Sequence, residues 1–286
     1  MNTQFWLIQA FNGISYGALL FLVGSGLSLI FGVMRIVNLS HGSYFLLGGY
    51  VALSVIWTTG SWALALPVAA LAIAVVGLLM ERIFLRPLGF DPLRQVLLTV
   101  GFAFLFQQAA LDIWTGNNFD INPPEALTRS IVIGGLYLPL YRVFMIAMAA
   151  AIGLALWLVM EKTRMGAAVR ATVDDAQMAR GVGIDTSRIS MFIFALGALL
   201  AALGGVIGGA FLGIYPGLDF EMLPIAFAVV IIGGMGSLGG AAIGALLVGL
   251  ADNFGKALFP EVSYFTLYAP MALILAVKPT GLFGRE

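Results

Sequence analysis

Long stretches without Lys, Arg, Asp or Glu are the feature that most limits what this chain can fold into. Residues 1–34 contain none of these side chains, and neither do residues 36–80, which are enough for two membrane spans. A helix needs about 20 mostly apolar residues to cross a bilayer, with a range of roughly 17–25. Further uncharged runs cover residues 143–160, 189–218, 222–251 and 262–277. These runs predict an all-α polytopic membrane protein.

The composition excludes several classes of protein and site. Only 10% of the residues are charged and the mean hydropathy is +1.03, whereas a soluble domain carries about 25% charged residues. The formal net charge is zero, so no basic face for nucleic acid is expected. Cysteine is absent and His41 is the only histidine, which argues against disulfides, metal sites and any cofactor bound by this chain.

The hydrophobic runs predict about seven to eight transmembrane helices in a single domain over residues 1–286. The predicted spans are about 6–33, 41–58, 62–81, 95–114, 142–160, 190–213 and 263–278. A further apolar region, 222–255, is interrupted by the glycine-rich segment 232–240, which is a poor helix interior. We therefore expect this region to be re-entrant. One long tilted helix over 222–251 is the alternative.

The basic residues predict the orientation, because cytoplasmic loops are enriched in Lys and Arg. Eleven of the 14 fall on one side if the N-terminus is periplasmic and the C-terminus cytoplasmic. These eleven are Arg35, Arg82, Arg86, Arg94, Lys162, Arg164, Arg170, Arg180, Arg188, Lys278 and Arg285. This orientation requires the region 222–255 to enter and leave the membrane on the outer side.

Two loops between the spans have distinct compositions. In the external loop, about 115–141, two β-rich triplets flank Gly134 and Gly135 and predict a small hairpin. The internal loop, about 161–189, is the only long polar stretch, and its part from 170 to 180 has helical composition. A polar helix on the cytoplasmic face of such a protein usually contacts a partner.

If the protein uses ATP, another chain must bind it. The sequence has no G-x-x-x-x-G-K-[ST] loop, and its only Gly-Lys pair, Gly255 and Lys256, lacks the rest of that pattern. Between the predicted span ends, only His41 and Asp112 are ionisable, which argues against an ion-coupled carrier. His41 has two interpretations: an interfacial residue bonded to freed backbone, or a residue lining the inner mouth of a pathway.

Several motifs, spread over most of the chain, carry a family resemblance. They lie at residues 27–42, 47–50, 170–171, 179–184, 233–238 and 278–284. With these motifs the chain closely resembles the LivH-type permease subunits of branched-chain amino acid ABC importers. Ser40 stands where that family usually has Ala. The resemblance implies the ABC importer permease fold and transport of branched-chain or related amino acids across a bacterial inner membrane. Urea or small carboxylates are alternative substrates.

The resemblance also implies partners and a coupling loop. The partners are a second permease subunit, homologous or identical, two cytoplasmic ATPase subunits that bind ATP and Mg, and a periplasmic solute-binding protein. The chain itself is not an enzyme. The loop at 166–185 corresponds to the segment that docks on the ATPase. Its candidate residues are Arg170, Ala171, Asp174, Asp175, Ala179, Arg180 and Gly183.

A translocation pathway is expected where apolar segments are interrupted by glycine in each half of the chain. Those segments are 24–49 and 233–249. Because the spans offer no obvious charge to an amino acid, we expect a weak site built from free backbone groups at half-helix ends. The candidate pathway residues are Asn38, Ser40, His41, Gly42, Gly233, Gly234, Gly236 and Ser237.

Overall fold

The computed structural model describes residues 3–89 and 91–284, so Arg285 lies outside the described residues. Eleven α-helices form this part of the chain, with a two-stranded antiparallel sheet in one connection. The helices are α1 (Thr3–Met34), α2 (His41–Thr59), α3 (Trp62–Met80), α4 (Pro92–Trp114), α5 (Leu140–Lys162), α6 (Arg164–Asp174), α7 (Ala176–Gly181), α8 (Thr186–Leu212), α9 (Leu218–Gly233), α10 (Leu238–Leu258) and α11 (Ser263–Val277). The strands are β1 (Ser130–Ile133) and β2 (Leu136–Pro139).

The predicted all-α polytopic membrane class is confirmed. Among the described residues, six helices are long and apolar enough to cross a membrane: α1, α3 with the turns that follow it, α4, α5, α8 and α10. The three other apolar helices are shorter, with 19 residues in α2, 16 in α9 and 15 in α11. Each of the seven predicted spans corresponds to one helix, with bounds that agree within a few residues.

Helices α1 and α8 form the centre of the bundle. In each, 72% of the most apolar window is buried, compared with 17% in α4 and 22% in α5. The outer helices instead direct apolar side chains away from the protein; Leu97 and Phe104 of α4, for example, are 62% and 58% exposed. Apolar residues on the outside are what a bilayer requires, because lipid is as apolar as the side chains themselves.

Glycines let the central helices approach closely. A Cβ on Gly205 of α8 would overlap the carbonyl oxygen of Phe45 in α2. On α10, a Cβ on Gly249 would lie 2.5 Å from the Gly13 carbonyl oxygen and 2.7 Å from the Cα of Gly17. Small residues at such crossings replace side-chain packing by backbone contact, which is the usual way helices associate in lipid.

The glycine-rich region 222–255 forms a helical hairpin, so the alternative of one long tilted helix is wrong. Helix α9 ends at Gly233 and α10 begins at Leu238, with positive φ at Gly234 (+99°) and Gly236 (+82°). Gly236 lies against Gly32, near the last residue of α1. The tip of the hairpin therefore lies beside the last turn of α1.

The two helices of this hairpin differ in how far they run from the tip. At the far end of α10, the ring of Phe254 lies 5.7 Å from that of Trp6, close to the start of α1. Helix α10 therefore extends from one end of α1 to the other, whereas α9 has only 16 residues.

The loop predictions are confirmed in one case and refined in the other. Strands β1 and β2 pair around Gly134 (φ +58°) and Gly135 (φ +82°), which form the two-residue turn that a tight hairpin favours. The internal loop contains two short helices, not the single helix expected over 170–180. The side chain of Asp175 accepts hydrogen bonds from the N–H groups of Gln177 and Met178, so it ends α6 and begins α7.

The α2–α8 contact gives a direct test of this packing. We expect Gly205→Ala to destabilise the folded protein by about 1–3 kcal/mol, because the added methyl group forces the two backbones apart. Gly101→Ala is the matched control, since a Cβ there meets no atom within 4 Å. Thermal unfolding of both variants in detergent checks this, and equal midpoints would contradict the close approach.

Candidate functional site

The chain turns back into the bundle after α1. His41, the first residue of α2, has its Nε2 3.0 Å from the carbonyl oxygen of Val23, and Val23 precedes the end of α1 by 11 residues. At 1.5 Å per residue, α2 therefore begins about 16 Å inside that end. Asn38, Ser40 and His41 are all fully buried. Irregular backbone at membrane depth is tolerated only when protein surrounds it in this way.

Side chains satisfy the irregular backbone before α2. The Oδ1 of Asn38 accepts hydrogen bonds from the backbone N–H of Ser40 (3.1 Å) and from its hydroxyl (2.7 Å). The N–H of Leu39 donates to the Thr99 hydroxyl of α4 at 3.2 Å. Asn38 therefore holds the start of α2 through Ser40, and Thr99 holds the preceding residue from α4.

His41 lies deep among helices α1, α2 and α8. Its Nε2 bonds the Val23 carbonyl, while its Nδ1 has no hydrogen-bond partner among the described residues. His41 thus bonds a backbone carbonyl, as its first interpretation expected, and its ring is fully buried within the protein. It does not line the large cleft described below.

The first turns of α2 and α9 meet inside the bundle. Gly42 lies directly against α9, where a Cβ would overlap the carbonyl oxygen of Asp219. The hydroxyl of Ser43 donates a hydrogen bond of 3.0 Å to Asp219 Oδ2. The ring of Phe220 lies 5.5 Å from that of Phe104, about halfway along α4. The joint formed by Gly42, Ser43 and Asp219 therefore lies within the bundle.

Asp219 is the functional candidate that the sequence analysis missed. It precedes the region 222–255, so the spans seemed to offer only His41 and Asp112 as ionisable groups. In the structure Asp219 is 2% exposed, whereas Asp112 is exposed and accepts a hydrogen bond from Gln108. The signal was present in the sequence: Pro216 and Gly217 mark a helix start, and an acidic residue in the first turn is favoured there.

The second group of predicted pathway residues lies at the tip of the α9–α10 hairpin. Several backbone groups next to this tip are paired with the segment that follows α11. The carbonyl oxygens of Ile232 and Gly233 accept hydrogen bonds from the N–H groups of Leu282 (2.9 Å) and Phe283 (3.0 Å). The hydroxyl of Ser237 accepts from the N–H of Gly240 at the start of α10. The segment after α11 therefore closes this end of α9.

The two predicted pathway groups do not lie together. The first group contacts α1 at Val23, while Gly236 contacts α1 at Gly32. These two positions on α1 are nine residues apart, or about 14 Å along the helix. Gly234 packs against Gly284. Close packing therefore accounts for the presence of glycine at the hairpin tip. The joint between α2 and α9 is separate from this tip.

A cleft of about 800 Å³ opens at the end of the bundle where α1 ends. It brings Gly236 and Ser237 together with Arg170 and Asp174 of the predicted coupling loop. Arg170 donates a hydrogen bond to the Met160 carbonyl, and its Nη1 lies 3.6 Å from a carboxylate oxygen of Glu161. Arg170 thus attaches α6 to the end of α5.

The surface of α7 differs from the one expected. Ala179, one of the candidate coupling residues, is 3% exposed and packs within its own chain. The neighbouring Met178 and Val182 are 65% and 70% exposed and form the apolar surface instead. Gly183 follows with φ +89°, and a Cβ there meets no atom within 4 Å. Ala171 is half-buried, and Arg180 donates from its Nε to the Ala176 carbonyl.

Comparison with known proteins places the chain in a family. Residues 9–275 match the family model described as "Branched-chain amino acid transport system / permease component". The protein is 31% identical to the high-affinity branched-chain amino acid transport system permease protein LivH of Escherichia coli (strain K12), over 100% of this chain and 98% of that relative. It is 28% identical to BraD, the corresponding permease protein of Pseudomonas aeruginosa, over 98% and 96%.

The chain is also similar to LivM, a permease protein with a different name from LivH and BraD. The chain is 27% identical to the high-affinity branched-chain amino acid transport system permease protein LivM of Escherichia coli (strain K12), over 91% of this chain and 67% of LivM. The family model covers nearly all of the helical bundle, including the α2–α9 joint and the α6–α7 segment. The chain therefore belongs to the family of permease components of branched-chain amino acid transport systems.

Proposed function

We propose that this chain is the transmembrane permease subunit of an ATP-driven importer of branched-chain or related amino acids in a bacterial inner membrane. The observation that carries the proposal is the family match over residues 9–275 of a chain with six membrane-length apolar helices. The names of relatives that align over the whole chain support the same substrate class.

The permease acts with other chains. Both LivH and LivM of one organism resemble it, which supports a second permease subunit beside this one. Since the sequence has no phosphate-binding loop, we propose that ATP and Mg bind to two separate ATPase subunits. A periplasmic solute-binding protein delivers the substrate, so the permease itself needs only a weak site.

The α6–α7 segment is the proposed contact with the ATPase. Its exposed apolar side chains Met178 and Val182 suit a protein groove, and they lie just before the turn at Gly183. Arg170 connects α6 to α5 through the Met160 carbonyl and Glu161. A displacement of this segment by the ATPase would therefore be transmitted to a membrane helix.

The proposed pathway passes through the joint where α2 and α9 begin. Gly42 lies against the Asp219 backbone there, with the Leu223 side chain as the next neighbour on α9. A small separation of α9 from α2 would therefore open this joint. The cleft near Arg35 and Ser237 is the proposed exit on the side of the ATPases.

An ion-coupled carrier is the other class to consider. The sequence argued against such a carrier because few ionisable groups lay within the predicted spans. The structure removes that argument, since the carboxylates of Asp219 and Glu81 are both only 2% exposed. The family match still favours an ATP-driven importer, because it extends over the coupling segment as well as the membrane helices.

Uptake by the reconstituted importer tests the function. With the second permease, the ATPases and the binding protein in liposomes, we expect leucine uptake that requires ATP and persists without an ion gradient. Uptake driven by a proton or sodium gradient in the absence of ATP would contradict the proposal.

The turn at Gly183 tests the coupling segment. Since L side chains rarely adopt its positive φ, we expect Gly183→Val to lower ATP-driven uptake about tenfold while the subunits still assemble. Gly183→Asn is the matched control, because Asn tolerates the left-handed region better than a β-branched residue. The measurement is uptake per ATP hydrolysed in liposomes, and unchanged coupling in the Val variant would count against this role.

Site-directed labelling tests the orientation of the chain, which has no cysteine of its own. Thr128→Cys in the loop before β1 is expected to react with an impermeant maleimide added outside, whereas Asp175→Cys at the α6–α7 break is expected to react only after permeabilisation. Both positions are exposed. The reverse pattern would overturn the orientation predicted from the basic residues.

A further inference from the structure

We propose that Asp219, together with Ser43 and Tyr50, receives the ammonium group of the substrate as it passes the α2–α9 joint. This inference rests on the proposed function for the identity of the cargo and adds the side chains that recognise it. It replaces the backbone-only site expected from the sequence.

The first argument is that Asp219 is buried without a basic partner. Its side chain is 2% exposed within the bundle, and none of the four ion pairs among the described residues includes it. Only Oδ2 has a side-chain hydrogen bond, from Ser43, while Oδ1 has no partner of good geometry. Carboxylates in a membrane usually pair with another group, and those that do not commonly mark a substrate or ion pathway.

Donors close to Asp219 can stabilise a negative charge, whereas burial of the carboxylate opposes it. Asp219 lies in the first turn of α9, where backbone N–H groups from Gly217 to Phe220 surround it. The start of a helix carries a partial positive charge, which stabilises an acidic side chain. The Ser43 hydroxyl adds one donor. Since none of the ion pairs among the described residues includes Asp219, a cationic ligand would supply the missing opposite charge.

Tyr50 provides a second unsatisfied polar group on α2. It is fully buried, and its hydroxyl has no hydrogen-bond partner among the described residues. Tyr50 follows Ser43 by seven residues, so the two side chains lie on the same face of α2. Its ring stacks on Trp114 at 5.0 Å. An ammonium group has three N–H donors, and both a carboxylate oxygen and a phenolic oxygen can accept from them.

The chemistry of this subsite selects among the candidate substrates. A carboxylate with a phenolic oxygen attracts a cationic amine and repels a substrate that carries only a carboxylate. The inference therefore favours amino acids over small carboxylates. Because the joint is held by the contact between Gly42 and the Asp219 backbone, a ligand can enter when α9 moves away from α2.

The test compares transport and ATP hydrolysis in the complete importer, reconstituted with its binding protein and supplied with leucine. We expect Asp219→Asn to lower leucine uptake per ATP hydrolysed about tenfold or more, since a charge-assisted hydrogen bond is lost only on the transport path. Asp219→Glu is expected to restore most of that ratio. Asp112→Asn, on an exposed acidic residue of α4, is the matched control and is expected to behave like the wild type.

Each result supports or overturns the subsite. Uptake and ATP hydrolysis that fall together in Asp219→Asn would indicate a purely structural residue and overturn the inference, as would a wild-type ratio. Failure of the Glu variant to recover the ratio would also count against it. Absence of ATP-driven amino acid uptake by the wild-type importer would instead refute the proposed function, so the two failures are distinguishable.

Discussion

Backbone hydrogen bonding inside the bilayer is the constraint on which this structure depends. Lipid offers no partners, so every N–H and C=O at depth must be satisfied by the protein. Helix α2 begins inside the bundle, and this is possible because Asn38 and Thr99 bond the chain before it. At the other end, the segment with Leu282 and Phe283 bonds the last carbonyl groups of α9. The two interruptions of helical structure thus have their own partners.

Glycine lets the chain at these two interruptions pack closely against neighbouring helices. Gly42 brings α2 onto the backbone of Asp219, and Gly236 brings the hairpin tip onto Gly32. Backbone contacts of this kind leave little apolar side-chain surface to separate when helices shift. Alternating access in transporters commonly proceeds by such displacement of one group of helices against another. We propose that this motion opens the α2–α9 joint and that a partner bound to the apolar surface of α7 drives it.

The sequence was sufficient for the helices but not for the interior of the bundle. The uncharged runs gave each of the seven predicted spans within a few residues, and Gly134 and Gly135 gave the β-hairpin, because both signals are local. Asp219 was missed because its burial depends on α2 and α4, which are far away in sequence. The burial of Ala179 was missed because it depends on how the short helix α7 packs against its neighbours α6 and α8.

A structure of the assembled importer trapped with its substrate tests the central claim most directly. We expect the amino acid between the first turns of α2 and α9, with its nitrogen within hydrogen-bond distance, about 3 Å, of the Asp219 carboxylate. We also expect the contact between Gly42 and Asp219 to be opened. Substrate bound elsewhere on the path, with the α2–α9 joint still closed and Asp219 still buried, would contradict this account of the pathway.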